Sequence, residues 1–129
     1  MNRRALFRVI SALPLLAPAL AFATRQPPPA PVLLQESPLA GFQYHNGPAV
    51  WDRLQPGDPL GLVREPENAY DRRAVAVYWR GSKLGYLPRV ENAAVAQMLD
   101  RQLRVAATIN RMEKSDDPWK RVQVSVFLV

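Results

Sequence analysis

The sequence predicts a small, mainly β domain over residues 39–129, a closed barrel of about six strands with one α-helix. Apolar and polar residues alternate there in short runs, and Gly, Pro, Asn and Asp interrupt these runs at short intervals. The chain has 129 residues, enough for one domain with a core of its own. A sheet this small hides its edges best by closing on itself, which favours a barrel.

The pattern places the strands at residues 39–44, 59–64, 74–79, 83–87, 104–112 and 121–129. Alternate apolar residues of 74–79 share one face, and we expect Trp79 among them to belong to the core. Gly81 turns the chain into the next strand, so the two strands are predicted to form a hairpin. Residues 93–102 are predicted to form the helix, because apolar residues recur there at helical spacing and Asn92 can cap its start.

Residues 1–23 predict a secretory signal, with basic residues first, an apolar run next and Ala21-Phe22-Ala23 as an A-x-A cleavage pattern. Their uncharged stretch is about 15 residues long, short of the roughly 20 that a spanning helix needs. We therefore expect cleavage and an exported protein, periplasmic or secreted, without stable membrane insertion. Arg3-Arg4 resembles a twin-arginine export motif, and an ordinary basic signal start is the alternative. Residues 24–38 contain five prolines and are predicted to be an extended linker.

The composition excludes several kinds of site. Without cysteine and with His45 as the one histidine, the chain has no disulfide, no thiolate zinc site and no cysteine nucleophile. It carries neither of the glycine-rich phosphate-binding motifs, and we expect no cofactor and no metal. Removing three arginines with the signal leaves 14 of the 17 basic residues against 11 acidic ones, a net charge of +3. This mild excess permits phosphate contacts without requiring them.

Turn-forming and functional residue types are densest from Arg64 to Val77. Asn68 and Asp71 can bond neighbouring backbone N–H groups, so a self-stabilised loop is one interpretation and a ligand site is the other. Arg72-Arg73 is a pair rather than a basic run, and is a weak signal for phosphate binding.

The run from Arg64 to Val77, followed by Gly85 to Arg89, resembles the signature of the HIRAN domain family, R-x-P-x-N-x-Y/H-D-x-x-A-[VI]-x-V … [VI]-G-[YH]-[LV]. The run from Gly41 to Gly47 is similar to the first strand of that family, and Leu84 stands where the signature has Val or Ile. The resemblance covers about residues 39–129. It implies a modified OB-like barrel, so the small β-barrel that the strand pattern favours is expected to be OB-like or SH3-like. It also implies capture of a single-stranded DNA end that bears a free 3′-hydroxyl.

Seven residues are candidates for contacts with single-stranded nucleic acid: Tyr44, His45, Tyr70, Asp71, Lys83, Tyr86 and Arg89. The aromatic rings can stack on bases, and the two cations can hold phosphates through contacts that weaken with salt. Asp71 can accept a hydrogen bond from a terminal hydroxyl and would repel a terminal phosphate. Ordinary structural roles are the alternative for all seven: amphipathic barrel rings, a turn histidine, a loop cap and solvated charges. Gln43 stands where relatives can carry arginine, which removes one charge-assisted phosphate contact.

These observations favour a nucleic-acid-binding module that captures a strand end. The second hypothesis is an exported interaction domain that keeps the barrel but binds a protein or a cell-envelope ligand. The third is a phosphodiester hydrolase or a helper of one, which needs metal carboxylates or an acid–base pair in one cleft. Only Asp71 is suitably placed, so we expect a protein without catalytic residues.

Overall fold

The structure is a computed structural model that describes Pro27 and residues 29–129. The predicted signal at 1–23, with its twin-arginine motif, lies outside the described residues and stays a prediction. The strands are β1 Val32–Pro38, β2 Pro59–Glu65, β3 Ala74–Trp79, β4 Ser82–Tyr86, β5 Val105–Met112 and β6 Val122–Leu128. The α-helices are α1 Gly47–Val50 and α2 Ala93–Asp100, and 3-10 helices span Phe42–Tyr44, Trp51–Arg53, Arg89–Glu91 and Pro118–Lys120. Among the described residues, the longest helix is too short to cross a membrane.

All pairs of neighbouring strands are antiparallel, in the order β1-β6-β5-β2-β3-β4. Strand β2 links the two halves of the sheet, because Pro59 and Leu60 pair with β5 while the rest of the strand pairs with β3. The two ends of the sheet meet where Ala40 and Tyr86 exchange backbone hydrogen bonds of 2.8 and 2.9 Å. The prediction of a mainly β barrel is thereby confirmed.

Gly85 permits this closure. Its φ is +154°, and a Cβ added there would overlap the carbonyl oxygen of Ala40 and lie 2.9 Å from the side chain of Leu39. Because glycine carries no Cβ, β4 can approach the segment after β1 closely enough for the Ala40–Tyr86 bonds to form.

The position predicted for the first strand is wrong. Residues 39–44 form one bridge, a turn and a 3-10 helix, because Gly41 adopts a left-handed conformation (φ +74°) that interrupts an extended chain. The first strand is instead β1, in the second half of the predicted linker, where it pairs with β6 along its length. Pro31 precedes β1 and Pro38 ends it, and the residues between these two prolines are free to pair.

The barrel interior is mainly apolar, and its largest fully buried apolar side chains are Phe42, Leu39, Leu84, Leu87, Ile109, Val75, Val77, Val95, Val122, Val124 and Val126. Trp79 belongs to this core as predicted, and its indole Nε1 donates a hydrogen bond of 3.0 Å to Asp58 Oδ2. The hydrogen bond offsets the cost of burying the indole N–H.

Helix α2 ends at Asp100, two residues earlier than predicted, and Gln102 follows in a left-handed conformation (φ +62°). Asn92 occupies the N-cap position, but its side chain makes no cap hydrogen bond, so the predicted capping role is wrong. The Asn92 amide is fully buried and donates to Asp71 instead. It therefore ties the start of the helix to the loop between β2 and β3.

Candidate functional site

Arg64 holds the loop between β2 and β3. Its guanidinium donates to the carbonyl oxygens of Ala74 at 2.8 Å and Arg72 at 3.0 Å, and its Nε lies 2.9 Å from Asp100 Oδ1. One planar group with a fixed fork of donors thus ties the loop to β3 and to α2. This role of Arg64 is not evident from the sequence, because its partner Asp100 lies 36 residues away along the chain.

Asn68 organises the tip of the same loop. Its Oδ1 accepts hydrogen bonds from the backbone N–H groups of Tyr70 and Asp71 at 2.9 and 3.1 Å, and its Nδ2 donates to Glu65 at 3.0 Å. The self-stabilised loop considered from the sequence is therefore present. It does not exclude a ligand site, because the loop leaves the Tyr70 ring 86% exposed.

Asp71 accepts hydrogen bonds on both carboxylate oxygens. Oδ1 accepts from the backbone N–H of Arg73 at 2.9 Å, and Oδ2 accepts from the Asn92 amide at 2.7 Å. Desolvation raises the pKa of Asp71, but these two bonds and the charges of Arg89 and Arg73 outweigh it and hold the pKa below its usual value. The carboxylate is therefore charged at neutral pH, and each oxygen keeps a lone pair for a further donor.

Lys83 and Tyr86 form a hydrogen-bonded cluster with Glu65. Lys83 Nζ lies 2.7 Å from Glu65 Oε2 and 2.8 Å from the Tyr86 hydroxyl, which in turn donates to Glu65 Oε1 at 2.8 Å. Desolvation opposes both charges, but their mutual contact and the hydrogen bonds dominate, so the pKa of Glu65 is lowered and that of Lys83 is raised. The Lys83 charge, which we predicted to hold phosphate, is engaged within the protein, and the cluster fixes the Tyr86 ring.

Replacing Glu65 by glutamine is expected to lower the free energy of unfolding at pH 7 by about 1.5 kcal/mol, because Lys83 loses its charged partner. The folded-state pKa of Glu65 lies below the unfolded value, so its contribution is present above pH ~4.3 and is lost as the pH falls through the folded pKa. Thermal unfolding of the variant and the wild type should therefore differ at pH 7, and the difference should shrink as the pH is lowered below ~4.3. Glu67→Gln, an exposed change in the same loop, is the control and should match the wild type throughout this pH range. A constant difference across this pH range would show that the Glu65 charge is not responsible.

A groove of about 430 Å³ brings together five of the seven predicted site residues. Its lining residues are Ala40, His45, Asn68, Tyr70, Asp71, Ala74, Tyr86, Leu87 and Arg89. The His45 and Tyr86 rings meet edge to face with their centroids 5.5 Å apart. Burial and the nearby Lys83 charge lower the pKa of His45, against the opposing effect of Glu65, so the imidazole is neutral at pH 7.

Two predicted residues do not line this groove. Tyr44 is 80% exposed on the 3-10 helix Phe42–Tyr44, which contacts the 3-10 helix that carries Trp119. Lys83 is held by Glu65 and by the Tyr86 hydroxyl. The groove is thus formed by the β2–β3 loop, the end of β4 and the residues that follow it, with His45 at its side.

A second cavity of about 740 Å³ adjoins the groove and shares Asn68, Tyr70, Asp71 and Arg89 with it. Its own lining residues are Pro66, Glu67, Ala69, Arg72 and Arg73. Arg72-Arg73 is a weak signal in the sequence, but in the structure both residues line a cavity together with Arg89. Among the described residues, no group of three or more His, Cys, Asp or Glu side chains is placed to hold a metal ion.

Comparisons with known proteins agree with this fold and signature. The family model of the HIRAN domain matches residues 32–129. An Arabidopsis thaliana protein named as a SWI/SNF-related matrix-associated actin-dependent regulator of chromatin, subfamily A member 3-like 1, is 32% identical over 92 residues, which are 69% of this chain and 10% of that relative. The chain thus spans a small part of that relative's length.

Two crystal structures have the same fold. A protein from Lactobacillus plantarum superposes with a TM-score of 0.67 at 26% identity, over 77% of this chain and 95% of that one. The HIRAN domain of human HLTF superposes with a TM-score of 0.58 at 20% identity, over 75% of this chain and 78% of that one. The OB-like barrel implied by the sequence resemblance is therefore confirmed, and the chain belongs to the HIRAN domain family.

Proposed function

We propose that this HIRAN domain is a binding module for single-stranded nucleic acid that captures a DNA end with a free 3′-hydroxyl. The observation that carries the proposal is the convergence of two tyrosines, a charged carboxylate and an arginine in one groove: Tyr70, Tyr86, Asp71 and Arg89. Aromatic faces accept any base by stacking, and an arginine holds the backbone phosphate. The predicted signal would place this activity outside the cytoplasm, where extracellular DNA is the candidate ligand.

The terminal hydroxyl would donate its hydrogen bond to Asp71. The carboxylate is prepared for this contact because the Asn92 amide and the Arg73 N–H fix its orientation and keep it charged. A hydrogen bond to a charged acceptor is stronger than one between neutral groups, so a single hydroxyl can produce a measurable preference. Tyr86, oriented by Glu65, and the exposed Tyr70 would contact the terminal bases.

Binding should be measured by fluorescence anisotropy with a labelled single strand that ends in a 3′-hydroxyl or in a 3′-deoxy nucleotide. The wild-type chain is expected to bind the hydroxyl end about tenfold more tightly, the effect of one hydrogen bond to a charged group. In Asp71→Asn the preference should fall to about twofold, because the remaining hydrogen bond is neutral. The Asn92 amide can turn over to pair with the new side chain, since its Oδ1 has no partner among the described residues.

Asp116→Asn is the matched control, because it removes one exposed carboxylate that does not line the groove. The control should keep the tenfold preference, and the affinity of all three proteins should fall as salt rises. Equal affinity of the wild type for both ends would contradict end capture while leaving nucleic-acid binding intact. Failure to bind either strand at low salt would contradict the whole proposal and favour the second hypothesis, a protein or cell-envelope ligand.

A further inference from the structure

The groove does not end at Asp71. The second cavity adjoins it, and the two share Asn68, Tyr70, Asp71 and Arg89. A site that only accepted strand ends would need a barrier beyond the terminal hydroxyl. Here Asp71 also borders a cavity of about 740 Å³, which is large enough for the chain of the ligand to continue.

The charge of this second cavity suits a phosphate. Arg72, Arg73 and Arg89 line it against Glu67 and Asp71. The carboxylate of Asp71 is already compensated by two hydrogen bonds and by the charges of Arg89 and Arg73. The repulsion that Asp71 alone would exert on a phosphate is therefore reduced, and a phosphodiester beside it meets more positive than negative charge.

The arginine pair is held by its backbone, and both side chains are exposed. Arg64 binds the carbonyl of Arg72, and Asp71 binds the N–H of Arg73. Neither guanidinium donates a hydrogen bond or forms an ion pair with another side chain in the part of the chain that the structure describes. Little backbone ordering is then needed when these side chains bind an anion, which favours affinity.

We propose that the second cavity is a phosphate subsite for the nucleotide that follows the one at Asp71, so that a strand can pass through the groove. The protein then binds internal segments of single-stranded nucleic acid, and a free 3′ end improves binding without being required. The inference rests on the proposed function, because it states where the same bound strand continues past the nucleotide at Asp71. The two arginines occupy the unspecified positions of the D-x-x-A part of the signature, so the subsite belongs to this chain rather than to the signature.

The experiment compares a circular single strand, a linear strand of the same sequence with a 3′-hydroxyl, and that linear strand with a 3′-phosphate. The wild type is expected to bind the circle and the 3′-phosphate strand within about fivefold of the 3′-hydroxyl strand. Arg72→Ala/Arg73→Ala should weaken binding of the circle and of the 3′-phosphate strand by about tenfold, and of the 3′-hydroxyl strand by about threefold, because two charge-assisted phosphate contacts are removed.

Arg111→Ala/Lys114→Ala is the matched control, because it also removes two exposed charges and neither residue lines either cavity. The control should preserve the ranking of the three ligands. A wild type that binds the 3′-hydroxyl strand but not the circle would overturn the subsite and leave end capture standing. An equal loss in the arginine variant and in the control would also overturn it. If no strand binds, the proposed function itself fails, and the subsite fails with it.

Discussion

Replacing Gly85 by alanine is expected to lower the free energy of unfolding by about 3 kcal/mol, because it combines backbone strain with an overlap in a packed interior. Gly85 has a φ of +154°, and its new Cβ would overlap the Ala40 carbonyl oxygen. That oxygen accepts the 2.9 Å hydrogen bond from the Tyr86 N–H that helps close the barrel. The variant must therefore open the closure or displace the segment after β1, and chemical denaturation should show a lower midpoint.

Gly81→Ala is the control for this prediction. Gly81 also has a positive φ, +83°, but nothing lies within 4 Å of an added Cβ there. It should lower the free energy of unfolding by about 1 kcal/mol, the cost of the strained backbone alone. Equal losses in the two variants would mean that the contact with Ala40 does not matter and that the sheet is not held closed at this point. Because Tyr86 lines the groove, a loosened closure should also weaken strand binding.

Five of the six strands could be predicted from the sequence, because their alternation and turn residues are local signals. Gly81, for example, marks the hairpin between β3 and β4, where Arg80 and Gly81 both have positive φ. Strand β1 could not be predicted because its partner β6 lies roughly 90 residues away along the chain and the sequence around β1 is rich in proline. A local pattern cannot show that a strand is completed by the far end of the chain.

The sequence predicted residues that line the candidate site but not the residues that hold them in position. Tyr70, Asp71 and Arg89 were chosen from residue type and resemblance, and the structure places them around one groove. The residues that hold them act across the fold, as Asn92 does on Asp71 from 21 positions away. One such contact, between Glu65 and Tyr86, could have been predicted by assuming that the three strands within 59–87 form an antiparallel meander. Its register brings the end of β2 and the end of β4 to the same part of β3, where Glu65 meets Tyr86.

Lys83 illustrates the limit of assigning ligands from charge alone. From the sequence it is a cation two residues before the signature glycine Gly85, which suits phosphate binding. In the fold its charge faces Glu65 at 2.7 Å, and the cation available to a ligand at this groove is Arg89. The pairing therefore makes Lys83 a support of the Tyr86 ring rather than a ligand contact. The Lys83 ammonium also lies over this ring, 4.7 Å from its centroid.

Replacing Tyr70 by alanine is expected to weaken binding of a single strand about 20-fold, within the range of about 1–3 kcal/mol per stacked base. The ring is 86% exposed and lines both cavities, so it contacts a ligand in the groove without supporting the barrel. The free energy of unfolding should change by less than about 0.5 kcal/mol, as for other exposed substitutions. Tyr70→Phe should bind like the wild type, since stacking needs the ring and not the hydroxyl.

Tyr44→Ala provides the matched comparison, because Tyr44 is 80% exposed but lies outside the groove. It should weaken binding by about threefold at most, the effect of a peripheral contact. Anisotropy titrations of the three variants against one labelled strand at constant salt measure all these values. The reverse ranking, a large loss in Tyr44→Ala and none in Tyr70→Ala, would move the strand away from Asp71. It would then follow the surface formed by the two 3-10 helices that carry Tyr44 and Trp119. Because the two rings are similarly exposed, their ranking depends on where the strand runs and not on how accessible each ring is.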